Sequence, residues 1–252
     1  MSTTSSSGAD VPESTRLDDL SDPGQFLHAI RVLTDETDRL MDTVKAMDEA
    51  SVRAPSLCEG WSRAHVLSHL ARNADAVGRL VHWARSGEET PMYASPDARD
   101  ADIESGSANT VADLEGDVES SADRLLDGLL DLPPGGTGVT VRLRGDHPLP
   151  SHDLPLMRAY EVVLHHLDLD SGYRLDDTDP ALLDRLLREA VRRLTGRHAP
   201  PFTLRTSGGT TYEVSGGGPE VSGSAADLVA WAARRSDGTG LGGELPELPR
   251  WG

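Results

Sequence analysis

The chain has 252 residues, with 24 Lys and Arg against 42 Asp and Glu and a formal net charge of −18. Such an excess of negative charge repels phosphate backbones and argues against an unaided nucleic-acid binder. No run of about 18 apolar residues occurs, and the first 22 residues lack the basic-then-apolar order of a secretory signal, so the expectation is a cytoplasmic protein that neither enters a membrane nor is exported. The single cysteine, Cys58, can form no internal disulfide and no thiolate cluster, so any metal must be held by His and carboxylate side chains.

Residues 1–22 are mostly small and polar, with many Ser, Thr and Asp and a single Gly and Pro, and are expected to form a mobile tail, because they carry too little apolar surface to offset ordering entropy. From Phe26, apolar positions at Ile30, Leu33, Leu40, Met41, Val44 and Met47 recur at three- and four-residue steps and predict a helix over about 23–49. Ser62 suits the N-cap of a second helix reaching Arg85. Its stripe of Val66, Leu70, Val77, Leu80, Val81 and Ala84 is interrupted on the inward face by His69 and Asn73. Residues 86–109 read as a long loop carrying Arg99. A third helix is expected over 111–130, ending before Pro133-Pro134-Gly135-Gly136, then a short extended segment at 139–143 and a fourth helix over about 153–171. Pro180 opens a fifth helix that Gly196 closes. The period then changes: 202–206 and 210–215 alternate around Ser207-Gly208-Gly209, a hairpin signal, before helical spacing returns from Ser224 to Arg235. The expected fold class is α+β, an antiparallel four-helix bundle over 23–172 followed by a connecting helix and a small C-terminal α/β domain over 173–252.

One constellation in this frame can carry chemistry. Glu161 and His165 are four apart on the fourth helix, so they project from one face about 6 Å apart and can grip one ion. Leu154, Met157, Leu164 and Asp168 turn that face inward, and His69 on the second helix can supply a third ligand. Three protein ligands with a fourth position open is the layout of a catalytic rather than a structural zinc site. The plain alternative is a Glu–His pair on a helix surface and a hydrogen-bonded buried histidine. Other ligand sets can also be drawn, since His65 is four before His69 and His166 adjoins His165. His166 lies about 100° round the helix and His65 sits at the edge of the apolar stripe, which favours His69, Glu161 and His165. Asn73 and Asp168, inward and polar, suit support of the ligands, contact with a thiol, or ordinary buried hydrogen bonds. Cys58, at the mouth of the second helix, suits packing better than nucleophilic catalysis.

The sequence resembles the mycothiol-dependent maleylpyruvate isomerases, a branch of the DinB-like metal-binding helical bundles. The resemblance is carried by Glu59-Gly60-Trp61-Ser62-Arg63 through His69, His82-Trp83-Ala84 and Gly87-Glu88-Glu89-Thr90-Pro91-Met92-Tyr93. Ser95-Pro96-Asp97-Ala98-Arg99, Met157-Arg158, Glu161-Val162 through His165, Val221-Ser222-Gly223-Ser224 and Pro246-Glu247-Leu248-Pro249-Arg250-Trp251 extend it over about residues 25–251. It implies a DinB-like bundle with zinc on His69, Glu161 and His165, and activity-linked arginines at Arg99 and Arg235. The family usually has Gly-Arg where this chain has Arg234-Arg235. The resemblance further implies mycothiol as thiol cofactor, a monomer, and isomerisation of maleylpyruvate to fumarylpyruvate in gentisate degradation. A zinc-bound thiolate would add to the double bond, the adduct would rotate, and sulfur would leave. Arg99 and Arg235 would hold the dicarboxylate substrate and its enolate. The competing readings are a mycothiol S-transferase acting on another electrophile, a metal-binding module without turnover, and a metal-dependent hydrolase, for which Asp168 is the only spare inward carboxylate.

Overall fold

The computed structural model describes residues 16–249, so the expected mobile tail lies outside the described residues up to 15, as do Arg250 and Trp251. Over 16–22 the tail expectation is corrected: Leu17 and Leu20 are buried in the main core. Helix α1 (Pro23–Lys45) starts at Asp22, whose carboxylate accepts from the Gln25 N–H. The expected continuation to 49 is interrupted, because Asp48 and Ser51 form a reciprocal cap that begins a separate short helix, α2 (Glu49–Arg53). Helix α3 (Arg63–Ser86) follows and ends at Gly87, whose φ of 74° is the left-handed conformation that glycine adopts without a Cβ penalty.

The expected loop over 86–109 contains a helix, α4 (Pro96–Ser107), capped by Ser95 and opened by Pro96. Only Ile103 and Ser107 of it are buried, so it has no apolar stripe that a periodicity reading could detect. Helix α5 spans Val111–Leu130. A small hairpin, β1 (Thr140–Leu143) with β2 (His147–Pro150), leads into α6 (Leu154–Asp168). Strand β2 holds two prolines and sits in a two-stranded ribbon, where their missing N–H groups are tolerated.

Helices α1, α5, α3 and α6 close the bundle in that cyclic order, each packing on the next. Across α3 and α6 the directions oppose, since His69 meets Glu161 while Asn73 meets Arg158. Helices α3 and α5 run the same way, because the ion pairs Arg72–Asp117 and Arg85–Asp131 advance together. A parallel neighbour requires the chain to travel back along α3, 24 residues or about 36 Å. The segment 87–95 and α4 make that return, so α4 lies over the first half of α3, where the Ser68 hydroxyl donates to the Ile103 carbonyl.

The C-terminal part is α7 (Pro180–Gly196), β3 (Phe202–Thr206), β4 (Thr211–Val214), β5 (Glu220–Gly223) and α8 (Ala225–Ala232). The sheet order is β4-β3-β5, antiparallel for β3/β4 and parallel for β3/β5. Phe202, Leu204, Val214 and Val221 bury its inner side against α7 and α8. A mostly helical N-terminal region with a small C-terminal sheet region is the α+β class the sequence implies. No helix of the described residues is long and apolar enough to cross a membrane.

Candidate metal centre

His69 projects from α3 and Glu161 and His165 from α6 into one seam, where His69 is buried and the other two are half-buried. Nε2 of His69 is 3.1 Å and Nε2 of His165 is 3.7 Å from the same Glu161 oxygen, Oε2. The two rings meet edge to face with centroids 4.5 Å apart. One potential ligand atom from each residue lies within 4.8 Å of the others. Ligands held tetrahedrally at about 2.0–2.1 Å from zinc are separated by about 3.3 Å, and the two measured gaps bracket that value.

The protonation states suit such a site. Burial pushes the His69 imidazole down to about 4, so it is neutral at pH 7. Burial alone would raise the Glu161 carboxyl, but the His69 hydrogen bond and the neighbouring His165, His69 and Arg158 outweigh it and hold Glu161 below the usual carboxylate range. Behind Glu161 stands Asn73, whose Nδ2 donates to Oε2 at 3.4 Å while its Oδ1 accepts from buried Arg158 at 2.6 Å.

The far nitrogen of His165, Nδ1, is 2.9 Å from Oδ2 of Asp168, a close contact whose N–H is out of line for a well-formed hydrogen bond. Asp168 is 1% exposed and is gripped at both oxygens by Arg235, through Nε at 2.9 Å and Nη2 at 2.8 Å. The fork the sequence assigns to a substrate carboxylate is therefore engaged with a protein carboxylate. Cys58 belongs to this group: its sulfur lies within 4.8 Å of His165 and Asp168 ligand atoms, and burial next to Asp168 pushes the thiol up to about 12. At neutral pH it is a protonated, poorly nucleophilic thiol. Arg234 takes φ 61°, the left-handed conformation in which the Gly of a Gly-Arg pair is at ease, and its side chain donates to the Leu248 carbonyl at 2.5 Å. That geometry separates the two arginines and directs Arg235 inward.

Arg99, on α4, donates through Nη2 toward Nδ1 of His69 at 3.3 Å and through Nη1 to Asp100, with its guanidinium 5.8 Å from the Tyr93 ring centroid. Trp61 packs against His69 at 5.6 Å between centroids. His65 is turned away, tied to Ser62, Glu104 and Ser107. His166 faces α1, bonded to Thr43 and stacked on Tyr173. Sequence reasoning did not assign site roles to Arg158, Tyr93 or Trp61. The available signal for Arg158 was its place three residues before Glu161, on the same face of α6.

The family model for the Mycothiol maleylpyruvate isomerase N-terminal domain matches residues 33–170, more than half of the chain, and that for the MDMPI C-terminal domain matches residues 177–250. The chain belongs to the mycothiol maleylpyruvate isomerase family. Two solved structures, a mycothiol-dependent maleylpyruvate isomerase and a histidine-to-alanine mutant of it, each share 31% sequence identity, cover 90% of this chain and 97% of their own, and superpose with a TM-score of 0.84. No curated protein matches. In the maleylpyruvate isomerase family's division, His69, Arg99, Arg158, Glu161, His165 and Asp168 fall in the N-terminal domain and Arg235 in the C-terminal one. The Arg235–Asp168 pair therefore joins the two domains beside a candidate metal ligand.

Proposed function

We propose that the protein catalyses the mycothiol-dependent cis-to-trans isomerisation of maleylpyruvate to fumarylpyruvate, a step of gentisate degradation in the cytoplasm, with Zn2+ held by His69, Glu161 and His165. The observation that carries this reading is the convergence of two imidazole Nε2 atoms on one carboxylate oxygen, in a chain of this family. Two nitrogens and one oxygen are a donor set that zinc accepts, with a position left for an exogenous ligand. Held by these residues, the metal would supply a Lewis acid that keeps a thiol sulfur anionic at neutral pH, and mycothiol would supply the nucleophile whose reversible addition to and elimination from the double bond allows rotation.

The chain's own residues prepare this chemistry. An arginine N–H can only donate, so the Arg99 contact puts the lone pair of His69 on Nδ1 and its proton on Nε2, facing Glu161. Ligation through Nε2 requires the other tautomer, with the proton on Nδ1, and that tautomer no longer accepts from Arg99. With a metal in place the guanidinium would be available to a substrate carboxylate, where it would supply the local positive charge that a dianion needs in a protein of net charge −18. Arg235 acts at one remove: it holds Asp168, whose carboxylate lies 2.9 Å from Nδ1 of His165 and so limits where that ring can turn.

The test follows maleylpyruvate loss by absorbance, with and without mycothiol. Wild type should turn over only with the thiol, and His69→Ala should lose both bound zinc and at least about 100-fold in rate. Arg99→Ala should keep its zinc and raise KM about 10- to 100-fold, the loss expected from removing one partner of a charge-assisted pair. Turnover without thiol, or undiminished turnover in His69→Ala, refutes the reading.

A further inference from the structure

Arg158 is among the largest fully buried side chains of the protein, 2% exposed, yet it makes no ion pair among the described residues. A buried cation with no carboxylate in direct contact carries a desolvation penalty that an apolar side chain of similar volume would not, and the attraction to nearby Glu161 offsets it only in part, since burial still lowers the Arg158 pKa. Burial lowers its pKa only to about 10, so the charge persists at neutral pH. Its hydrogen bond goes to Oδ1 of Asn73 at 2.6 Å, and the other end of that amide, Nδ2, faces Oε2 of Glu161 at 3.4 Å. The amide orientation is thus dictated from both sides, a cation at its oxygen and an anion at its nitrogen. Arg158 and Glu161 are one turn apart on α6, and His69 and Asn73 are one turn apart on α3, so the four side chains form two rungs across the α3–α6 seam.

We infer that Arg158 is a positioning residue for the metal centre: through the Asn73 amide it fixes the rotamer of Glu161, so that one carboxylate oxygen faces both imidazoles. The inference rests on the metal reading above. It accounts for a buried charge that packing alone does not require.

The test measures Zn2+ affinity of the full-length protein by competition with a chromophoric chelator, the visible spectrum of the Co2+-loaded form, and the melting temperature of the metal-free form. Arg158→Met should weaken Zn2+ binding about 10- to 100-fold, the usual cost of losing support behind a ligand, and alter the Co2+ band. Its metal-free melting temperature should stay close to that of the wild type, because the desolvation penalty that is removed offsets the attraction to Glu161 that is lost. Asn73→Leu should weaken Zn2+ comparably, Arg158→Lys should recover part of the affinity, and the double variant should bind no more weakly than Arg158→Met, since the two residues act in series. Unchanged Zn2+ affinity in Arg158→Met, with a lower melting temperature, would make Arg158 a packing residue and overturn the inference. If Arg158→Met does not fold, unchanged affinity in Asn73→Leu overturns it equally. Wild-type protein that binds no Zn2+ at all would overturn the metal reading itself, an outcome distinct from the other two.

Discussion

The adjacent histidines of α6 occupy the same backbone and opposite environments. His165 faces α3 and lies between two acids, with Glu161 toward its Nε2 and Asp168 beside its Nδ1. His166, turned toward α1, bonds through Nε2 to the Thr43 hydroxyl at 2.7 Å and stacks on Tyr173 at 3.7 Å. Tyr173 in turn donates to buried Glu36. Around His166 the partners are a hydroxyl, which meets Nε2, and a ring, which packs on its face, while Nδ1 has no hydrogen-bond partner among the described residues and neither neighbour is a carboxylate. Around His165 they are carboxylates, one within reach of each ring nitrogen. What separates the two histidines is the charge of their neighbours as well as their burial, His166 being 1% exposed and the His165 side chain 17%.

The contrast can be broken most strongly from the acid side. Asp168→Asn keeps the shape of the pocket but removes the charge beside Nδ1, and should lower zinc affinity and isomerase rate about 10- to 100-fold by chelator competition and absorbance assay. Arg235→Met should do the same while leaving Asp168 buried without its arginine. Because the two residues form one pair, their double variant should lose less than the sum of the single losses in free energy. Replacement of His166 by Phe should leave zinc affinity within about twofold and cost about 1 kcal/mol in denaturant unfolding, through the lost Thr43 hydrogen bond.

A pH titration of the metal-free protein sharpens the same comparison. Burial pushes His69 down to about 4, and burial with nearby Arg39 pushes His166 to about 3, against an ordinary value of 6.5. The unfolded chain therefore binds protons on these rings at pH values where the folded protein does not. Their contribution to stability is complete above about pH 6.5 and is lost as the pH falls toward 4 and 3. Melting temperature should drop across that window, and His166→Phe should drop less steeply.

Much of this was legible in the sequence because it rests on local rules. Helices α5 and α7 are bounded by Leu130 and the Pro133-Pro134 stop and by Pro180 and Gly196, signals that act within a few residues. The gaps at His69 and Asn73 in the α3 stripe pointed inward, and both residues are buried. Helix α4 was illegible because it lies over α3 with little apolar surface of its own. The parallel course of α3 and α5 is a matter of which helix neighbours which, and periodicity carries no information about that. The engagement of Arg235 with Asp168 was illegible for a related reason: the residues are 67 positions apart, and an arginine fork suits a protein carboxylate as well as a substrate's.

That clasp also sets a condition on how the molecule can be dissected. A bundle cut free after α6 would retain an acid in its interior whose counter-ion had departed with the discarded piece. The remnant would either take up a proton at that acid or let the neighbouring imidazole drift. Any ancestor or engineered fragment consisting of helices alone would have to find another cation for that corner to keep the proposed metal seat in shape.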